Sequence, residues 1–169
     1  MKIVIIGAGV IGSNLAASLA REQHEVYVVE ENTERARKLD EKLDVKMIVG
    51  NGADPRVLSA LPLAEADMVI AVTASDEANL VVCSLAACAG AKRRIARVRN
   101  SALSATVCQY GSDYFNVDEI INPEEVAAEA IVKTIQAPGA REVADFAEGK
   151  IFLRGFEIPK ESPLCKVRI

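Results

Sequence analysis

Short apolar runs alternate with longer amphipathic ones along the first 136 residues. Lys2 to Ile6, Val26 to Glu30, Lys46 to Val49, Met68 to Val72 and Arg94 to Val98 read as five strands, and a sixth falls within Tyr114 to Ile121. The runs are continuous Val/Ile stretches instead of alternations, the pattern of strands covered on both faces. Between them the apolar positions return at helical spacing. The spacing and caps predict helices from Ile11 to Glu22, from Thr33 to Leu43, from Asp54-Pro55 to Leu61, from a Ser75 or Asp76 cap to Ala89, from a Ser101 cap to Tyr110, and from Glu124 to Ile135 behind Pro123. Six strand-then-helix units in succession predict an α/β fold. It is a doubly wound parallel sheet with right-handed crossovers and strand order 3-2-1-4-5-6.

The pattern changes at Gln136-Ala137-Pro138-Gly139-Ala140, where Pro138-Gly139 marks a turn. A short helix from Glu142 to Ala147 and two strand-like runs, Ile151 to Arg154 and Phe156 to Ile158, are predicted beyond it. The chain thus divides into residues 1–136, whose last helix over 123–136 leads out of the sheet, and a short β-containing tail over 137–169. A tail of about thirty residues cannot bury a core by itself. It is expected to pack on the main domain, exchange with another subunit, or begin a module that continues.

Composition narrows the classes. Half of the 169 residues are apolar and 26% are charged, which suits an ordered globular chain. Aromatics are only 4%, without tryptophan, so the core is aliphatic. The net charge is −4 and the longest basic cluster is Lys92-Arg93-Arg94, which argues against a nucleic-acid partner. No run approaches the ~18 apolar residues of a membrane span, so no direct membrane insertion is expected. The apolar start, Met1 to Ile6, is no signal segment, because Gly7-Ala8-Gly9 and an amphipathic helix follow at once. Cys83, Cys88, Cys108 and Cys165 form no CxxC, and three lie in apolar contexts, so reduced, buried thiols are expected. The one histidine, His24, is far from them, and no metal site is predicted.

The chemistry gathers at strand ends. Gly7-Ala8-Gly9-Val10-Ile11-Gly12 is a G-x-G-x-x-G that follows a strand and opens a helix, the context of a Rossmann-like dinucleotide turn. Gly7 allows the tight turn, Gly9 lets a diphosphate approach the backbone, and Gly12 lets helix and strand pack closely. The helix start offers N–H groups and positive dipole to phosphate. Glu30, 18 residues after Gly12, stands where an acid holds the ribose hydroxyls and repels a 2′-phosphate. Glu31 is its neighbour, and Glu30 is preferred as the ribose ligand.

Further candidates border the same edge. Val72-Thr73-Ala74-Ser75-Asp76-Glu77-Ala78-Asn79 follows the fourth strand, next to the first at the switch point where ligands bind. Thr73, Ala74, Asp76 and Asn79 are candidate contacts, with N-capping the alternative for Ser75 and Asp76. Gly50-Asn51-Gly52-Ala53-Asp54 could border an adenine or form a plain turn before a capped helix. Arg97 or Arg99 could reach the crevice from the fifth strand. A catalytic set is missing: no Tyr-x-x-x-Lys pair follows Tyr110, His24 lies in a turn away from the crevice, and the cysteines lack a base. A nucleotide site without catalytic groups points to a sensor whose output is conformational. The alternative is the cofactor domain of an NAD-dependent oxidoreductase that lacks its substrate domain.

The Gly7–Gly12 turn, the Glu30 strand end, Ala66 to Asn79 with its Val-Thr-x-x-Asp-x-x-Asn pattern, and Arg94 to Arg99 resemble the regulator-of-potassium-conductance (RCK, also KTN) domain, and within it the TrkA-type potassium uptake regulators. Ile121 to Glu125 and Pro138 through Gly149 extend the resemblance. It implies a cytoplasmic regulatory subunit that binds NAD(H), ATP or ADP and gates a membrane potassium transporter subunit (TrkH-like), placed peripherally at the inner face of the membrane through that partner. It further implies homodimers or a higher ring assembly, with helix 123–136 as the crossover helix and residues 137–169 as a hinge and the truncated start of a C-terminal regulatory domain. Many relatives carry an acid where this chain has Asn51; a neutral side chain there can still bond adenine or ribose.

Overall fold

The computed structural model describes residues 1–146 and 150–162, with backbone alone at 111–113, 145 and 146. The chain comprises two compact units, Met1–Pro123 and Glu124–Ile169. In the first, β1 (Lys2–Ile6), β2 (Glu25–Glu30), β3 (Lys46–Val49), β4 (Met68–Ala71), β5 (Arg94–Arg97) and β6 (Glu119–Ile121) form one parallel sheet. Its order is β3-β2-β1-β4-β5-β6, as the strand–helix repeat predicts. The helices are α1 (Val10–Arg21), α2 (Thr33–Asp40), α3 (Pro55–Leu58), α4 (Asp76–Cys88) and α5 (Ser101–Phe115).

Side chains alternate across each strand, so both faces need apolar cover. Ile3, Ile5, Val26, Val28 and Ile70 join Ala16, Leu15, Leu19 and Leu39 of α1 and α2 on one face. Val4, Ile6, Val29, Val69 and Ala96 join Leu58, Leu80, Val82, Cys83 and Val107 of α3, α4 and α5 on the other. This two-sided burial is why the strands read as unbroken Val/Ile runs. The register sets Ile6 beside Val29 of β2 and Ala71 of β4. The ends of β1, β2 and β4 therefore finish level, and the segments that follow them share one edge of the sheet.

Helix boundaries differ in instructive ways. Asn32, not Thr33, caps α2, its Oδ1 accepting from the Arg35 N–H at 2.9 Å. Asn100, not Ser101, serves α5 in the same way through the Leu103 N–H at 3.0 Å. Ser75 is the cap of α4, accepting from the Ala78 N–H. α5 runs through Gly111 to Phe115, five residues past the predicted end. A helical glycine costs about 1 kcal/mol, but Phe115 packs on the core and its carbonyl accepts from the Ser84 hydroxyl at 2.9 Å.

The cysteine expectation needs correction. Cys83 is fully buried on the inward stripe of α4 with Leu80 and Ala86, but Cys88 and Cys108 are exposed. Apolar neighbours in sequence misled here, since adjacent helical residues point about 100° apart. Cys165 lies outside the described residues. Burial pushes the Cys83 thiol up to about 12, against the pull of the nearby Arg94 charge. A thiolate-dependent reagent at pH 8 is expected to label Cys88 and Cys108 in the native state and Cys83 only after unfolding. Mass spectrometry of labelled peptides checks this, and native labelling of Cys83 would contradict it.

The second unit carries α6 (Pro123–Gln136) and an antiparallel hairpin of β7 (Ala140–Phe146) and β8 (Ile151–Phe156). The predicted helix over Glu142 to Ala147 is thus strand β7, and residue 147 lies outside the described residues. Of the two predicted strand-like runs, the first is strand β8, which continues through Gly155 and ends at Phe156, so Glu157 and Ile158 lie beyond it. A segment this short is ambiguous by periodicity alone, and the partner strand decides it. Among the described residues, no helix is long and apolar enough to cross a membrane.

Candidate functional site

A cavity of about 560 Å³ lies in the first unit where β1, β2 and β4 end. Its wall comprises Gly7, Gly9, Val10 and Ile11 after β1, Glu30, Glu31 and Arg35 after β2, Gly50 to Ala53 after β3, Thr73 to Ser75 after β4, and Arg97 at the end of β5. These are the segments that the level strand ends bring together.

The glycine turn is shaped by close approach. Gly7 holds φ +100°, its N–H donates to the Val29 carbonyl at 2.8 Å, and a Cβ there would stand 3.0 Å from Thr73 backbone. A Cβ on Gly12 would stand 1.8 Å from the Gly7 carbonyl oxygen. Gly9 is different: a Cβ there would meet nothing within 4 Å. Gly9 is also the N-cap of α1, which has no side-chain cap and no acid in its first turn. The positive end of α1 therefore meets an open part of the cavity wall with no acid in the helix's own first turn.

Glu30 also lines the cavity, 6% exposed. Its Oε2 accepts from the Ala8 N–H at 2.7 Å, and its Oε1 accepts from the Asn32 N–H at 2.9 Å and from Arg35 Nη1 at 3.2 Å. The acid is thus locked to the glycine turn on one side and to the start of α2 on the other. Glu31 is exposed. Asn51 Oδ1 accepts from the Ala53 N–H at 2.8 Å, which shapes the turn after β3.

The turn after β4 is held by two buried polar side chains. Asn79, fully buried, accepts at Oδ1 from the Thr73 N–H at 2.9 Å and the Thr73 hydroxyl at 2.7 Å. Its amide donates to the carbonyls of Thr73 at 3.3 Å and Arg97 at 2.9 Å. Asp76 accepts at Oδ2 from the Arg99 and Asn100 N–H groups, both at 2.9 Å. Burial pushes its carboxyl up, but these N–H donors and the Arg99 and Arg97 charges hold it below the usual range. Arg99 returns a bond to the Ala74 carbonyl, and Asn122 donates to the Arg99 carbonyl at 3.2 Å. A polar network anchored on the buried Asp76 and Asn122 thus runs from the cavity rim at Ala74 through Arg99 to the residue before Pro123.

The predicted site residues divide accordingly. Gly7, Gly9, Val10, Ile11, Glu30, Asn51, Gly52, Thr73, Ala74 and Arg97 line the cavity. Ala8, Gly12, Asp76 and Asn79 do not; Ala8 contributes through Glu30, Gly12 seats α1, and Asp76 and Asn79 hold the rim from behind. Arg97 lines the wall, and Arg99 turns back onto Ala74. Sequence reasoning missed Arg35. The signal available was a basic residue in the first turn of the helix that follows the strand ending in Glu30. His24 sits beside Glu22 at the start of β2, the opposite edge of the sheet. Among the described residues, no group of three or more His, Cys, Asp or Glu could hold a metal ion.

The TrkA-N domain model matches residues 3–123, which is the sheet unit to its last residue. This chain belongs to the TrkA-N domain family. The Trk system potassium uptake protein TrkA of Halomonas elongata is 38% identical over 154 residues, covering 90% of this chain and 34% of that protein. The chain therefore spans about a third of the length of that relative. Among solved structures, the GsuK channel bound to NAD superposes with TM-score 0.69 at 22% identity, over 87% of this chain and 25% of that one. GsuK bound to ADP superposes with TM-score 0.66 at 23% identity, over 83% of this chain and 35% of that one. These structures show the TrkA-N sheet and its helices in a shared fold.

Proposed function

We propose that the chain is a regulatory nucleotide-binding domain, without chemistry of its own, that binds NAD(H) or ATP/ADP and gates a membrane potassium transporter subunit (TrkH-like) through conformational change. The observation that carries this reading is the pairing within one cavity of open space at the start of α1, which has no side-chain cap, and a buried carboxylate at the end of β2. A diphosphate suits the first and a ribose hydroxyl the second. The cavity volume falls within the usual range for small-ligand pockets. The family membership supports the potassium-transport role, and the NAD and ADP named for the GsuK structures support the ligand class. In this reading residues 1–136 form the nucleotide domain with its crossover helix, and residues 137–169 form the hinge and the start of a regulatory domain. The chain acts in the cytoplasm as a homodimer or in a higher ring, held at the inner membrane face by its partner.

A ligand moves such an equilibrium only by binding one arrangement better than the other, and a swing from 1:99 to 99:1 needs about 10⁴-fold preference. The bonds that join Ala74 to Arg99, which Asp76 holds at its N–H, and Arg99 to Asn122 offer a mechanical route from the rim to the start of α6. Calorimetry with NAD, NADH, ATP and ADP tests the reading. Gly9→Asp places a carboxylate where the phosphates belong, in a position that tolerates a side chain sterically. Its stability is expected to stay within about 0.5 kcal/mol of the parent. Its affinity for the best ligand is expected to fall about a hundredfold, or about 2.7 kcal/mol. Equally weak binding of every ligand to both proteins would end the proposal.

A further inference from the structure

Counting lone pairs on Glu30 changes what the ribose corner can read. An ionised carboxylate offers about four acceptor positions. Three are taken: the Ala8 N–H on Oε2, and the Asn32 N–H and Arg35 Nη1 on Oε1. One remains, on Oε2. A ribose diol that donated twice to this acid would need two, so it would have to displace Arg35. Meanwhile the Arg35 guanidinium carries five N–H donors. Among the described residues it bonds only to Glu30, its side chain is 55% exposed, and it forms part of the cavity wall.

The geometry points to Arg35 as a ligand-contacting residue that shares the ribose with Glu30 and makes the corner accept a phosphorylated ribose. One hydroxyl donates to the remaining position on Glu30. The neighbouring ribose oxygen accepts from Arg35. A hydroxyl fits that donor, and so does a phosphate, which a guanidinium binds bidentately. A lone acid at this strand end would repel a 2′-phosphate, as the sequence suggests. The ion pair cancels that repulsion, because the carboxylate charge is already met by a cation 3.2 Å away. The ligand class is therefore adenosine with or without a 2′-phosphate, and both forms of the nicotinamide dinucleotide enter. This inference rests on the proposed nucleotide function of the cavity.

Titrations of the full chain with NADH and NADPH, followed by calorimetry and by the ligands' own fluorescence, test it. The parent is expected to bind NADPH within tenfold of NADH. Arg35→Gln is expected to weaken NADPH by at least ten times more than NADH, and Arg35→Lys to restore part of that ratio by keeping the charge. Thermal melts report whether the variants fold; if Arg35→Gln does not, the ratio for Arg35→Lys against the parent decides, and it must move against NADPH by threefold or more. A parent that rejects NADPH by more than tenfold, or a ratio that these variants leave unmoved, overturns the role of Arg35 while NADH binding keeps the nucleotide reading intact. Loss of both ligands in equal measure shows a merely structural role and also overturns it. Failure of the parent to bind NADH, NADPH, ATP or ADP removes the nucleotide reading itself, and this inference with it.

Discussion

Gly12→Ala is expected to destabilise the first unit by about 4 kcal/mol, a large part of the ~5–15 kcal/mol that holds a domain of this size. In an exposed helix the same change would stabilise by about 1 kcal/mol, because alanine loses less backbone freedom than glycine. Here the added Cβ would stand 1.8 Å from the Gly7 carbonyl oxygen and 3.0 Å from its carbon. A flexible side chain could swing aside, but a main-chain carbonyl cannot do so alone. Gly7 is fixed by its positive φ, by its bond to Val29 and by contact with Thr73 backbone. The start of α1 would have to lift from the sheet by more than an ångström, loosening Ile11 and Leu15 from the core they pack on. Overpacking usually costs ~1–3 kcal/mol, and an obstacle made of backbone lies beyond that range. Urea unfolding measures the difference, with Gly9→Ala as the control that should change stability by less than about 0.5 kcal/mol. A loss below about 1 kcal/mol for Gly12→Ala would mean that the turn is softer than its contacts imply. The two glycines of one motif thus separate: Gly12 serves packing and Gly9 serves the open wall.

Most of the sheet was legible because burial on both faces leaves a plain mark. Ile3 to Ile6, Val26 to Val29 and Met68 to Ala71 are apolar at successive positions, and only a covered strand keeps such a run. Position of the site followed from topology: once β1 and β4 are neighbours, Gly7, Glu30 and Thr73 must meet at one edge. Side-chain direction was not legible. Asn79 and Asp76 carry polar groups at the right end of the right helix, yet both turn toward the backbone of β5 and the turn after it. Sequence spacing gives distance along the helix and says nothing of which neighbouring carbonyl lacks a donor. Arg35 escaped for the complementary reason. A basic residue in an exposed helix turn is unremarkable until the carboxylate it faces is found buried beside it. The hairpin was misread where the segment is short, since six residues of mixed character fit either period and β8 supplies the deciding hydrogen bonds.

Asn79→Ala is expected to cost about 4 kcal/mol and to weaken the proposed nucleotide binding together with stability. The side chain is fully buried and makes four hydrogen bonds, three to Thr73 and one to Arg97. Truncation removes the acceptor of the Thr73 N–H and the donor to the Arg97 carbonyl at a side chain that is itself fully buried. Each buried polar group deprived of its partner costs about 1–3 kcal/mol, and the space left by the amide adds to that. Thr73 and Arg97 both line the cavity, so the rim loses its shape as the fold loses stability. Asn79→Asp separates the polar requirement from the volume. The isosteric acid keeps an acceptor for the Thr73 N–H, but its second oxygen faces the carbonyls that the amide served. Ionised, it puts a buried charge against two acceptors, a costly arrangement; protonated, it can donate to one of them. Its carboxyl is therefore raised in the folded state above its unfolded value, and stability is present at low pH and lost as pH rises through the raised value. Thermal melts should show Asn79→Asp at least as damaged as Asn79→Ala at pH 7 and partly recovered at pH 5, while Asn79→Ala gains nothing by the same acidification. A deficit of Asn79→Asp that does not shrink toward pH 5 would show that the amide matters for its shape alone, and the hydrogen-bonded tie between the β4 turn and β5 would lose its energetic basis.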